Sequence, residues 1–110
     1  MSGKNGRTRA EVFLGQRLLQ MRMAMGISQA DLAALIHTHQ TVISYMERGQ
    51  TETVLSKRHI TLSPFPRIMM EMMVALPPEK APKIKEALEK ASPLHQNLPQ
   101  ALMVFTALTS

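Results

Sequence analysis

The sequence predicts an all-α fold, and three features carry that prediction. Ten Met against three Phe, one Tyr and no Trp give an aliphatic, flexible apolar complement, which packs between helices more readily than inside a sandwich. Apolar residues recur at three- to four-residue steps over most of the chain, and Gly and Pro fall between the periodic stretches rather than within them. At 110 residues, folding removes roughly two thirds of the unfolded surface from water, enough for one core and too little for two. A large enzyme with separate cofactor and substrate domains is excluded.

Residues 1–9, MSGKNGRTR, hold two Gly, three positive charges and no apolar side chain after Met1, which predicts a mobile basic arm. Phe13 or Leu14, Leu18, Met21 and Met25 then make an amphipathic helix over about 10–25, ended by Gly26 at the C′ position. Ser28 with Asp31 three residues on is a capping-box pattern, opening a short helix over 29–36 with Leu32, Leu35 and Ile36 on its apolar face. His37 and Thr38 interrupt the pattern. Val42, Ile43 and Met46 define a third helix over 40–48 that stops before Gly49. Two helices of about two turns joined by a short turn form a helix-turn-helix.

Residues 50–63 lack helical periodicity and are rich in β-branched side chains, which predicts a loop or small hairpin. Ser63 as N-cap and Pro64 at the first helical position open a Met-rich helix carrying Ile68, Met69, Met72, Met73 and Leu76, stopped by Pro77 and Pro78. A fifth helix over 78–91 places Ala81, Ile84, Leu88 and Ala91 on one face, and Pro93 ends it. Leu98, Leu102, Phe105 and Leu108 or Val104 predict one more helix over 98–108.

The chain carries 13 Lys and Arg against 8 Asp and Glu, a formal charge of +5. Residues 1–60 hold eight of the basic side chains (Lys4, Arg7, Arg9, Arg17, Arg22, Arg48, Lys57, Arg58) against four acidic ones, whereas the rest is five against four. Such asymmetry is the footprint of an N-terminal half that faces nucleic acid, although a solvated basic surface accounts for it equally well. There is no Cys, so disulfides, thiolate metal sites and thiol nucleophiles are excluded. No apolar run approaches the ~20 residues of a membrane span, and the basic N-terminus has no apolar signal core, so the expectation is a soluble cytoplasmic protein with no membrane partner.

The stretch from Leu14 to Gln50, LGQRLLQMRMAMGISQADLAALIHTHQTVISYMERGQ, combines a basic first helix, the run GISQADLA at 26–33, Val42 with Ile43, and MERG at 46–49. In that ordered set it resembles the helix-turn-helix domain of the Cro/C1 (XRE-like) regulators of phages and bacteria. The resemblance implies a lambda-repressor-like bundle with extra C-terminal helices, divided into the arm at 1–9, a DNA-binding domain at 10–76, and an extension at 77–110 for dimerisation or partner binding. The segment after Thr51 resembles nothing assignable.

Physical reasons stand beside that resemblance. The third helix would enter the major groove, where side chains at its start and outer face reach base edges: His39, Gln40, Thr41, Ser44 and Tyr45. Gln pairs bidentately with adenine and Thr meets a thymine methyl, so Gln40 and Thr41 lead. Ser44 and Tyr45 are phosphate or rim contacts, with burial in the fold the other reading of Tyr45. Gln29 at the start of the second helix presents an amide and backbone N–H groups to a phosphate, and the family clamps the DNA backbone from this position. Arg48, with Arg7 and Arg9 of the arm, completes the backbone contacts. Arg22 and Glu47 resemble the family's structural ion pair between the first helix and the end of the third. His37 departs from the family pattern, which places Gly there for positive φ.

No catalytic constellation is present, so no enzyme activity is expected, and no cofactor is implied. His37 and His39 lack Cys or clustered acids that would complete a metal site. The expected partners are double-stranded DNA and a second copy of the chain on a pseudo-palindromic operator, with repression the expected outcome in a bacterial or phage setting at the nucleoid. The Met-rich and final helices carry apolar surface suited to core or to a dimer interface. Two alternatives stay open: an antitoxin whose residues 63–110 bind a toxin protein, and an interaction module without DNA affinity.

Overall fold

The computed structural model describes residues 9–50, 55–56 and 61–109. Among them the chain forms α1 (Arg9–Met25), α2 (Gln29–Leu35), α3 (Gln40–Glu47), α4 (Pro64–Ala75), α5 (Ala81–Ala91), α6 (Leu98–Met103) and α7 (Thr106–Thr109). Short 3-10 turns occupy Pro78–Lys80 and Ser92–Leu94. This is an all-α helix-turn-helix bundle with further helices on its C-terminal side. Among the described residues no helix is long and apolar enough to cross a membrane.

The ends of α1, α2 and α3 share one construction. After α1, the Gly26 N–H donates to the Met23 carbonyl and the Ile27 N–H to Arg22. After α2, His37 donates to Ala34 and Thr38 to Ala33, and after α3, Gly49 donates to Met46 and Gln50 to Tyr45. Each is a Schellman motif, whose C′ residue must be left-handed. Gly26 (φ 69°), His37 (φ 61°) and Gly49 (φ 73°) occupy those positions. At the opposite end of α2, the Ser28 hydroxyl accepts from the Asp31 N–H at 3.0 Å and the Asp31 carboxylate accepts from the Ser28 N–H at 3.4 Å, completing the capping box.

Leu18, Met21 and Met25 of α1, Leu32 and Ile36 beside them, Ile43 of α3, Phe65, Met69 and Met73 of α4, Ile84 and Leu88 of α5, and Ala101 and Phe105 share one buried cluster. Each large side chain so buried contributes about 1.5–3 kcal/mol of transfer free energy. The core runs without interruption across residue 76, so the C-terminal helices are part of the packing that holds the helix-turn-helix. Arg17 adds a polar fastening, donating through Nη2 to the carbonyls of Val74 at 3.2 Å and Leu76 at 3.1 Å, where α4 ends. Such orphan carbonyls need a donor, and a cation also suits the negative end of the helix dipole.

Several expectations are corrected. Arg9 is not in the arm but opens α1, and Arg7 lies outside the described residues. The loop or hairpin expected over 50–63 falls largely outside them too, while Leu55 and Ser56 are helical. The fifth helix begins at Ala81 rather than 78, because Pro82 has no N–H to donate to the Pro78 carbonyl; Ala81 donates to it instead and closes a 3-10 turn. The final helix is two short ones. Val104 and Phe105 donate to carbonyls three residues back, and that tighter turn keeps Phe105 and Leu108 buried across the break. The apolar side of the Met-rich helix is core, with Phe65, Met69, Met70 and Met73 buried. Large exposed apolar residues instead stand on α1 (Phe13, Leu14, Leu19, Met23) and α6 (Leu102, Met103).

Candidate nucleic-acid interface

The α3 helix is held by its inner side alone. Val42 and Ile43 are buried, while His39, Gln40, Thr41 and Arg48 are exposed and Ser44 and Tyr45 are half-buried. His39 is the N-cap but makes no side-chain capping bond, which leaves its ring out of the helix's own hydrogen bonding. His39, Gln40 and Thr41 therefore form one polar edge at the start of the helix. Arg48 lies back along the same face: Nη2 donates to the Ser44 hydroxyl at 2.9 Å, Nε to the Ser44 carbonyl at 3.3 Å, and the guanidinium carbon sits 4.6 Å from the centre of the Tyr45 ring. That cation–π contact and the two bonds orient Arg48 before any partner arrives.

The pose of α3 is fixed from beneath by a single carboxylate. Arg22 donates to Glu47 through Nε at 2.5 Å and Nη2 at 3.0 Å, and through Nη1 to the Ile27 carbonyl at 2.8 Å. Gln29 Nε2 donates to the same Glu47 Oε1 at 2.9 Å. Glu47 thus ties the last turn of α3 to α1 and to the first residue of α2. The Arg22 and Glu47 side chains are 11% and 5% exposed, so the bidentate geometry and the extra donor are what offset their desolvation. The bonds to Glu47 raise the Arg22 guanidinium above its ordinary range, against the opposing effect of burial. Its pKa being raised, the Arg22 share of the pair's stabilisation is present in full through neutral pH and is lost as pH climbs past arginine's own alkaline range. Backbone contact completes the fixation, for a Cβ at Gly15 of α1 would overlap the Met46 carbonyl of α3.

The turn before α3 is held differently. His37 Nε2 lies 2.9 Å from the Ser92 carbonyl and 3.1 Å from its hydroxyl, and His95 Nδ1 lies 3.3 Å from the same carbonyl. A carbonyl only accepts, so both nitrogens carry their protons there. The two imidazoles stack with centroids 3.8 Å apart and 19° from parallel, and Phe65 sets its ring edgewise to each, 5.6 Å from His37 and 6.1 Å from His95. A left-handed non-glycine residue costs about 1–2 kcal/mol, while one hydrogen bond and one aromatic contact each contribute about 1 kcal/mol, so the clamp and the strain are of equal size. Neither His95 nor Ser92 stands out in the sequence, since they lie 58 and 55 positions from His37 and carry no local pattern. Among the described residues no group of three or more His, Asp or Glu side chains is placed to hold a metal ion.

Of the residues expected at the interface, the structure places Gln40, Thr41, Ser44 and Tyr45 on α3, with His39 as its N-cap and Arg48 as its C-cap. Gln29 stands at the start of α2, its amide engaged with Glu47, and Arg9 is exposed at the far N-terminal end of α1. A short helix seated by two buried residues, joined to its predecessor by a left-handed turn and polar on its outer side, defines a helix-turn-helix. Residues 18–57 match the family described as Helix-turn-helix, and in this segment the chain is similar to the Cro/C1 type of that domain. No curated protein and no solved structure matches the chain.

Proposed function

We propose that the protein is a sequence-specific double-stranded DNA-binding regulator of transcription, acting as a homodimer on a pseudo-palindromic operator to repress. The observation that carries this reading is the polar edge of α3, where Gln40 and Thr41 are exposed directly beside the buried Val42 and Ile43. Inserted in a major groove, such an edge reaches base donors and acceptors: Gln40 pairs with adenine and Thr41 meets a thymine methyl, with His39 and Ser44 beside them. Arg48, steadied by Tyr45, and Gln29 through its second amide N–H bind phosphates, and Arg9 with Arg7 extends the backbone contact. The apolar side chains exposed on α1 and α6 supply surface for a second copy. Residues 10–76 do the reading and residues 77–110 support dimerisation.

The test is selection of bound duplexes from a random pool at two salt concentrations. An inverted repeat with half-sites about one helical turn apart is the expected product, and Gln40→Ala with Thr41→Ala then weakens its binding by about 1–3 kcal/mol per lost base contact. Binding that vanishes with salt and enriches no sequence would refute specific reading. Absence of binding at both salts would refute DNA as the partner.

A further inference from the structure

We infer that His95 is a positioning residue for α3: by stacking on His37 it holds the left-handed turn that aims the helix, so the C-terminal part of the chain sets how Gln40 and Thr41 are presented. The inference rests on the DNA-reading assignment above.

The lever is short and direct. His37 is two residues before the α3 N-cap, and its backbone torsions set the angle between α2 and α3. Gln40 and Thr41 open α3 only three and four residues beyond His37, so a change in the torsions of that turn reaches them before the end of the helix that Glu47 ties down. Base-edge hydrogen bonds tolerate only about 0.5 Å.

Glycine at C′ holds such a turn without help, as Gly26 does with nothing within 4 Å of where a Cβ would stand. His37 instead has ring partners from three places beyond residue 63: Phe65 in the first turn of α4, the Ser92 carbonyl and hydroxyl, and the His95 ring. Ser92 is the C-cap of α5, whose Leu88 and Ala91 are fully buried, so the clamp is anchored to the core rather than to a loose strand. The approach to α3 is seated on the same support, for His37, Thr38 and His39 line one cleft with Ser63 and Pro66. Because the Ser92 carbonyl accepts from both imidazoles, it fixes both ring orientations, and His95 supplies the flat surface against which His37 cannot turn.

The test compares His95→Ala, His95→Phe and His37→Gly in the full chain. Circular dichroism checks folding, amide chemical shifts of Thr38 to Thr41 are followed without DNA, and affinity is measured for the selected duplex and for a random duplex at low salt. His95→Ala is expected to shift those amides and to weaken specific binding about tenfold, the equivalent of one good base contact, with random-duplex binding changed less than twofold. His95→Phe, which keeps the stacked ring, restores both. His37→Gly, which holds the left-handed turn without a ring to clamp, keeps specific binding within about twofold of wild type and makes it insensitive to a further His95→Ala change. Unmoved amides in a folded His95→Ala protein overturn the inference, as does a loss of specific and random binding in equal measure. If the wild-type chain selects no duplex, the DNA reading fails while the amide shifts, and their recovery in His95→Phe, still decide whether His95 positions α3.

Discussion

The chain reverses after α1 and after α3 with a glycine, and after α2 with a histidine, in the same backbone conformation. At Gly26 and Gly49 the hydrogen bonds of the helix end are sufficient, since glycine adopts positive φ without penalty. At His37 the same bonds are present, the conformation is strained, and a carbonyl, a stacked imidazole and a phenyl ring arrive from distant segments to hold it. A local solution is thus replaced by a tertiary one. The replacement makes the turn before α3 depend on whether α4 and α5 are in place, which neither glycine end requires.

Four substitutions break or sharpen that contrast. Glu47→Ala, just before the Gly49 end, leaves the Arg22 guanidinium buried without its carboxylate and should destabilise by about 3 kcal/mol in denaturant titrations. A loss below about 1 kcal/mol would show that α3 is held by apolar packing instead. Gly49→Ala combines positive φ with a Cβ 3.0 Å from the Val12 Cα, and its expected loss is about 2 kcal/mol. Gly26→Ala meets open space and carries only the conformational penalty of about 1 kcal/mol. Equal losses at the two glycines would remove the close approach of α1 from the account. His37→Gly relieves strain and gives up the clamp, so its thermal unfolding should stay within about 0.5 kcal/mol of wild type.

Most of the front half was legible because its signals are local. Ser28 and Asp31, Gly26 and Gly49 mark helix ends within one residue of where they fall, and the burial of Val42 and Ile43 follows from spacing alone. The Arg22–Glu47 pair was legible by resemblance. That Gln29 donates to Glu47 was not, since a contact across 18 positions has no periodic trace. His37 did signal itself by standing where glycine is expected, but Ser92 and His95 gave no sign of being its partners. In the back half, the break between α6 and α7 was hidden because a tightened turn preserves the apolar spacing that predicts one continuous helix.

Five buried methionines, Met21, Met25, Met69, Met70 and Met73, fill the centre of this cysteine-free molecule, while Met23 and Met103 stand in solvent. Thioethers are the principal sites at which an oxidant can rewrite such a chain, turning flexible apolar side chains into polar sulfoxides. The two outer sulfurs can take an oxygen without disturbing the packing. The fully buried ones, Met21, Met69 and Met73, react when the core opens, and a sulfoxide formed there opposes its closing again. Peroxide would therefore act on this protein as a ratchet, turning an excursion from the native state into a covalent change in the helices that support α3.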